Sequence, residues 1–267
     1  MRGAGAIGHG ARGEAEALAE APARGRVFCA RAGPCAEANG AGAEVPARVS
    51  RAGSAVRGCV GWVLITYGCD ASRWQGLLDW RRLRDAGIEF AGLRATMGAE
   101  GVDPLYERQR AAAEKVGVLV ISYGLIYPRV GTGGAQAQHL ARTAGSGAIL
   151  SGDVEPPDGF PPALAATWRS VVYDFTCEAS ARAQFPPLIY GSPGFLRSLA
   201  LPYDMWGAPL WIADWRDRLL PEVPGPWKRE TIRQTGLAPS SVSATRLDYD
   251  RFGGTVDDLR SALSWRP

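Results

Sequence analysis

The sequence predicts an α/β fold: a TIM-like β/α barrel with irregular last strands, (β/α)5(β)3, preceded by a disordered N-terminal extension. Three observations lead there. Eight short apolar runs of strand character follow one another between residues 63 and 252, the first five are separated by stretches of helical period, and acidic residues stand where several runs end. An open doubly wound sheet is the competing arrangement. However, no GxGxxG follows the first run, and the GTGG at 131–134 lacks the Lys-Ser/Thr of a phosphate loop. Nucleotide binding is unsupported.

The first strand is VLITYG (63–68), and a helical LLDWRRLRDAG follows it. IEFAGLRAT (88–96) is the second strand, and a longer helix runs from Asp103 to Val116. The series continues with VLVISYG (118–124), a helix near 134–144, AILSGDVE (148–155), a helix near 161–182, and LIYGS (188–192). PLWIADW (209–215), TIRQTG and ATRLDYDRF complete the eight, and TVDDLRSALSWRP reads as a closing helix. The catalytic unit is expected over 61–267.

Residues 1–60 hold 28 Ala or Gly and one aromatic, Phe28, too little apolar surface to offset the entropy of ordering, so disorder is expected there. No continuous apolar stretch follows the basic start, which argues against a signal peptide. The formal charge of +3 comes wholly from this segment, with eight Arg against five Glu, whereas residues 61–267 carry 22 basic and 22 acidic groups. A neutral body is a poor match for nucleic acid, which needs a concentrated basic face. No apolar run is long enough to span a bilayer. The five cysteines contain no CxxC pair, and the two histidines, His9 and His139, are too few for a zinc amidase or a Ser-His-Asp hydrolase. His139 reads as an ordinary helix residue. No metal, no cofactor, no nucleic acid and no membrane partner is expected, and a monomer is.

Carboxylates must therefore do any chemistry. Asp70 follows the first strand, Asp153 and Glu155 end the fourth, Asp214 ends the sixth, and Asp248 and Asp250 lie in the eighth. Side chains two apart on a strand share a face, so Asp153 and Glu155 both point to the barrel axis while Val154 packs against helices. Two adjacent inward carboxyls cannot both ionise freely, and the retained proton is what a general acid needs. Each acid alone also fits a bland role. Asp70 could cap a turn, Asp214 could pair with Arg216 or Arg218, and Asp248 or Asp250 with Arg246 or Arg251. The aromatics Tyr123, Tyr190, Trp211, Trp215 and Trp227 near strand ends fit a core as well as a sugar cleft. Joint placement favours the cleft.

YGCDASRWQGLLDW (67–80) resembles the opening of the family 25 glycoside hydrolases, the lysozymes, in which the first strand ends in Asp, then Ser, Trp-Gln-Gly and a distal Asp-Trp. AGIEFAGLRATMG, VDPLYERQRAAAEKVGVLVISY, GDVE, LIYGS, PLWIADW and RLDYDRFGG resemble that family's later segments, in unbroken order over about residues 65–255. The resemblance implies an N-acetylmuramidase of endolysin or autolysin type that cleaves the β-1,4 bond between N-acetylmuramic acid and N-acetylglucosamine in peptidoglycan strands, without a cofactor. It makes Glu155 the general acid/base and Asp153 the group that orients and charges the substrate's acetamido group. Asp70 and Asp248 become the other cleft acids, and Tyr123, Tyr190, Trp211, Asp214, Arg94 and Gln234 the substrate-binding residues. Arg94 stands where the family usually has Lys, and Met97 and Arg233 also depart from its pattern; these changes are expected to alter the rim and subsites.

Two alternatives carry different consequences. An inactive glycan-binding protein on the same barrel would keep the cleft without turnover, and a chitinase-like glycosidase would carry a longer run of alternating acids in strand four. Without a signal peptide, the enzyme is expected to reach the wall through lysis or a membrane pore, as a phage endolysin does, or otherwise by secretion.

Overall fold

In a computed structural model, residues 64–156, 164–202, 205, 207–216 and 219–264 are described, so the N-terminal extension lies outside the described residues. The elements run β1 (Ile65–Ala71), α1 (Trp80–Asp85), β2 (Ile88–Met97), β3 (Gly101–Val102), α2 (Tyr106–Lys115), β4 (Leu119–Leu125), α3 (Gly133–Ala144), β5 (Ile149–Asp153) and α4 (Ala165–Ala183). Then come β6 (Leu188–Gly191), α5 (Pro193–Leu199), β7 (Leu210–Ala213), β8 (Ile232–Leu237), β9 (Asp248–Gly253) and α6 (Val256–Leu263). The sheet order β1-β9-β8-β7-β6-β5-β4-β2 closes through a β1–β2 pairing, giving a barrel of the eight expected strands. The ninth, β3, is a short antiparallel addition to the end of β2 that the sequence reading did not include.

Seven barrel strands are parallel to their like neighbours; β9 runs antiparallel to both β1 and β8. The rule that the site lies at carboxyl ends therefore inverts for this strand. Asp248, at its beginning, pairs in register with Asp70 near the end of β1, while Asp250 pairs with Gly68, one layer deeper.

Local signals explain where helices begin. α1 starts at Trp80 rather than Leu77, because the Asp79 carboxylate caps it by accepting from the Arg82 amide at 3.0 Å. Trp80 is buried and donates its indole N–H to Gln109 of α2 at 2.8 Å, so the distal Asp-Trp of the first motif serves capping and packing. In α3, a Cβ on Gly133 would lie 2.3 Å from the Val171 carbonyl oxygen, so the absent side chain is what lets α3 approach α4.

Two apolar regions hold the barrel. One lies between sheet and helices and includes Val154, Trp168, Val171, Phe175 and Leu196. The other joins Phe90, Leu119, Ile121, Leu188, Trp211 and Ile232 with Leu259 and Leu263 of α6. The strand residues alternate as inward-facing positions should, so α6 packs against the barrel's own interior. Along four strands the inward positions turn polar: Phe90 gives way to Arg94, Ile121 to Tyr123, Leu188 to Tyr190 and Ile232 to Gln234. An apolar floor with a polar upper layer results. Among the described residues, no helix is long and apolar enough to cross a membrane.

Candidate active site

The polar layer opens into a cleft of about 1070 Å³ lined by Asp70, Asp153, Glu155 and Asp248, with Tyr123, Tyr190, Trp211, Arg94, Asp214 and Gln234. All ten residues that the family resemblance assigned to the site line this one cleft. They arrive there from β1, β2, β4, β5, β6, β7, β8 and β9 or the turns just after them.

The four acids hold protons tightly. Burial raises the Asp70 carboxyl, Asp248 adds to the effect, and hydrogen bonds with Gln234 and Asp250 oppose it, leaving it at about 7. Asp153 is 8% exposed, and burial, then the charges of Glu155 and Asp70, push it well up against the opposing pull of Arg94. Glu155 stands at the mouth, reached by solvent. Partial desolvation raises its carboxyl, the nearby Tyr190 hydroxyl lowers it, and Asp248 raises it again. Asp248 is raised by burial and pulled back by Arg246. Mutual repulsion in a poorly hydrated cleft keeps the group partly protonated near neutral pH.

Gln234 ties the cleft together. It is 3% exposed and donates through Nε2 to Asp70 at 2.8 Å, while its Oε1 accepts from Trp215 Nε1 at 2.7 Å and the Tyr190 hydroxyl at 3.2 Å. With both ends of its amide occupied inside the barrel, Gln234 orders its neighbours before it can meet a ligand.

Trp211 is only 2% exposed and packs edge-on to Tyr190 with ring centroids 5.6 Å apart. It is floor rather than an open sugar platform. Gly92 makes room for it: a Cβ there would lie 2.3 Å from the ring. Trp215, 49% exposed, and Trp74, 73% exposed, are the accessible rings of the cleft. Trp74 was missed as a site residue although it sits inside the first motif. Ser72 caps the turn Arg73–Gln75 and receives the Gln75 side chain at its own amide at 2.9 Å, and this box throws Trp74 outward beneath the Arg73 guanidinium, 4.7 Å from the ring centre. Trp227 lies elsewhere, donating to the Ala208 carbonyl at 2.7 Å beside a second cavity.

Arg94 and Asp214 reach the cleft already partnered. Arg94 is buried and donates from Nε to Asp103 Oδ2 at 2.9 Å; the same carboxylate takes the Arg73 and Leu105 amides at 2.9 and 3.0 Å. The Asp-Pro at 103–104 thus anchors a cation, beyond starting a helix. Asp214 takes a two-pronged grip from Arg216, at 2.6 and 2.8 Å, plus the Glu222 amide at 3.2 Å, and this holds its carboxyl well below the usual range. The surface pairing considered for it is real, although its own side chain is 1% exposed.

The other two departures do not line the cleft, contrary to expectation. Met97 ends β2 on its way into the β3 hairpin. Arg233 is 3% exposed and donates to the carbonyls of Asp214 at 2.9 Å and Arg216 at 2.6 Å, bracing the Trp215 loop from behind. Neighbouring strand residues alternate faces, so a change beside Gln234 points away from the cavity. His139 is on α3, with Nε2 3.0 Å from the Gly101 carbonyl oxygen. Among the described residues, no group of His, Cys, Asp or Glu is arranged to hold a metal ion.

Comparison with known proteins places this cleft in a family. Lysozyme M1 of Streptomyces globisporus is 26% identical over 205 residues, 72% of this chain and 69% of that protein. The uncharacterized protein YegX of Escherichia coli O157:H7 is 39% identical over 214 residues, 73% of this chain and 72% of its own length. The solved family 25 lysozyme of Aspergillus fumigatus shares the fold, with a TM-score of 0.67 at 22% identity over 76% of this chain and all (100%) of that one. The model of the glycosyl hydrolases family 25 matches residues 69–232, from beside Asp70 to the start of β8. The chain is thus a glycoside hydrolase and belongs to glycosyl hydrolases family 25.

Proposed function

We propose that the chain hydrolyses the β-1,4 bond between N-acetylmuramic acid and N-acetylglucosamine in peptidoglycan, with Glu155 as general acid/base and Asp153 as partner of the substrate's acetamido group. The observation that carries this reading is the convergence of four proton-retaining carboxyls in one cleft, of which Glu155 alone stands out at the mouth. Its raised pKa favours the protonated form, whose proton can pass to the leaving oxygen.

Asp153 ends β5 and Glu155 follows it by two residues, which puts both on the same side of a bound sugar. Neither acid can then attack the opposite face, and the acetamido oxygen supplies the nucleophile while Asp153 holds the acetamido nitrogen and stabilises its developing charge. Trp74 and Trp215 offer rings for flanking sugars. Glycan strands are the partner, and the wall is the place of action, reached after lysis, through a pore, or by secretion.

Mass spectrometry of digested cell walls tests the bond. New reducing ends of N-acetylmuramic acid are expected; reducing N-acetylglucosamine, or intact strands, would overturn the assignment, and turnover of chitin oligosaccharides alone would favour the chitinase-like reading. Proton NMR of the first product should show the β anomer. An initial α anomer would promote Asp70 or Asp248 to the base that activates water.

A further inference from the structure

We propose that Asp250 is a positioning residue: it keeps a proton beneath the cleft floor and donates it in a hydrogen bond from Oδ2 to the Asp70 carboxyl, fixing that group in place and favouring its ionised form. The inference rests on Asp70 belonging to the active cleft.

Asp250 is fully buried and does not line the cleft, unlike Asp70 and Asp248. The reversed direction of β9 puts it there: Asp248 faces Asp70 in register, and Asp250, two residues on along the same face, lies one layer below. Its Oδ1 accepts the Trp211 indole N–H at 2.8 Å. Its Oδ2 is buried without a donor. A carboxylate oxygen in that position would be an uncompensated buried charge. A carboxylic acid has no such problem, because Oδ2–H becomes a donor, and the Asp70 carboxyl, one layer above on the paired strand, is the acceptor we assign to it.

The groups that bear on Asp250 are Asp70 and Cys69 from β1, Tyr190 from β6, Trp211 from β7, Gln234 opposite on β8, and Asp248 on its own strand. None is a cation, and the acids among them oppose its ionisation. Burial and then Asp70 raise the Asp250 carboxyl well above its ordinary value, while Asp70 is lowered by the same hydrogen bond. Gln234 donates to Asp70 at 2.8 Å as well. Asp70 is thus held by two neutral donors, an amide and an acid.

Carbon NMR of the full-length protein labelled at the aspartate carboxyl carbons tests this. In the wild type the Asp250 signal should stay protonated while Asp70 titrates near about 7. Asp250→Val should raise the Asp70 midpoint by about one pH unit or more, since a donor to the charged form is lost. Asp250→Asn should restore it to within roughly half a unit, because the amide can donate to Asp70 and accept from Trp211. An Asp250 signal that ionises near pH ~4, the ordinary aspartate value, would overturn the proposal, as would an Asp70 midpoint unmoved in Asp250→Val. If Asp250→Val fails to fold, the wild-type Asp250 titration and the Asp250→Asn midpoint decide. Wall digestion on the same samples is a separate readout: a wild type that cuts no glycan removes the proposed function and leaves the titrations to judge Asp250.

Discussion

Two groups of carboxylates share one cleft and behave oppositely. On the side of β1, β5 and β9, Asp70, Asp153, Glu155 and Asp248 are raised by burial and by one another. On the side of β7, Asp214 and Glu222 are lowered by Arg216, and Arg197 adds a second ion pair to Glu222. Asp153 ends one parallel strand and Asp214 follows another, so position alone does not separate them. Arginine does. A bidentate guanidinium satisfies Asp214 as a permanent anion, whereas the facing acids have mainly other acids as neighbours and retain protons. Proton transfer belongs to the first group and rigid support to the second.

The sharpest way to break this contrast is to remove one acid from each side. Glu155→Gln should lower turnover by a factor on the order of a hundred or more with the melting temperature little changed, because the proton donor goes and little volume does. Asp214→Asn should do the reverse: turnover within about tenfold of wild type, and stability lower by roughly 1–3 kcal/mol, since the amide cannot match the carboxylate's bonds to Arg216 and the Glu222 amide. Kinetics and thermal melts on the pair decide; if Asp214→Asn costs as much turnover as Glu155→Gln, the division into proton donors and supports is wrong.

The barrel was legible because the signals it needs are local: alternating apolar runs and intervening helical periods. The cleft residues were legible because strands bring their ends together once a barrel is assumed. What escaped depends on direction and depth. Nothing local in RLDYDRFGG says that β9 runs backwards, so only the family resemblance, and not the strand pattern, singled out Asp248 over Asp250 for the cleft. Nor could it tell that Trp211 is floor and Trp74 open, since exposure follows from tertiary packing around Gly92 and the capped turn after β1. Arg233 was taken for a rim change because it departs from the family's pattern, and alternation on β8 is what turns it away.

The two sides should also separate on a pH axis, and stability rather than rate exposes this. An acid whose folded pKa is raised binds more protons folded than unfolded, so it favours the folded state below its folded value and loses that advantage as pH rises from the unfolded value toward the folded one. For Asp70 the window runs from about 4, the ordinary aspartate value, to about 7. Asp153, Glu155 and Asp248 shift in the same direction and add to it. Asp214 has the opposite sign: its contribution is complete above the ordinary aspartate range and is lost only as pH falls below about 4 toward its lowered folded value. The melting temperature should therefore fall by a few degrees between pH ~5 and ~7.5, and drop again on strong acidification. Asp70→Asn should flatten the upper slope without touching the acid drop, and Asp214→Asn should soften the acid drop without touching the upper slope. Scanning calorimetry of the three proteins across that range is the measurement. A wild-type melting temperature that climbs from pH ~5 to ~7.5 would mean that the cleft carboxyls are ionised more easily folded than unfolded, and the contrast between the two sides would be lost.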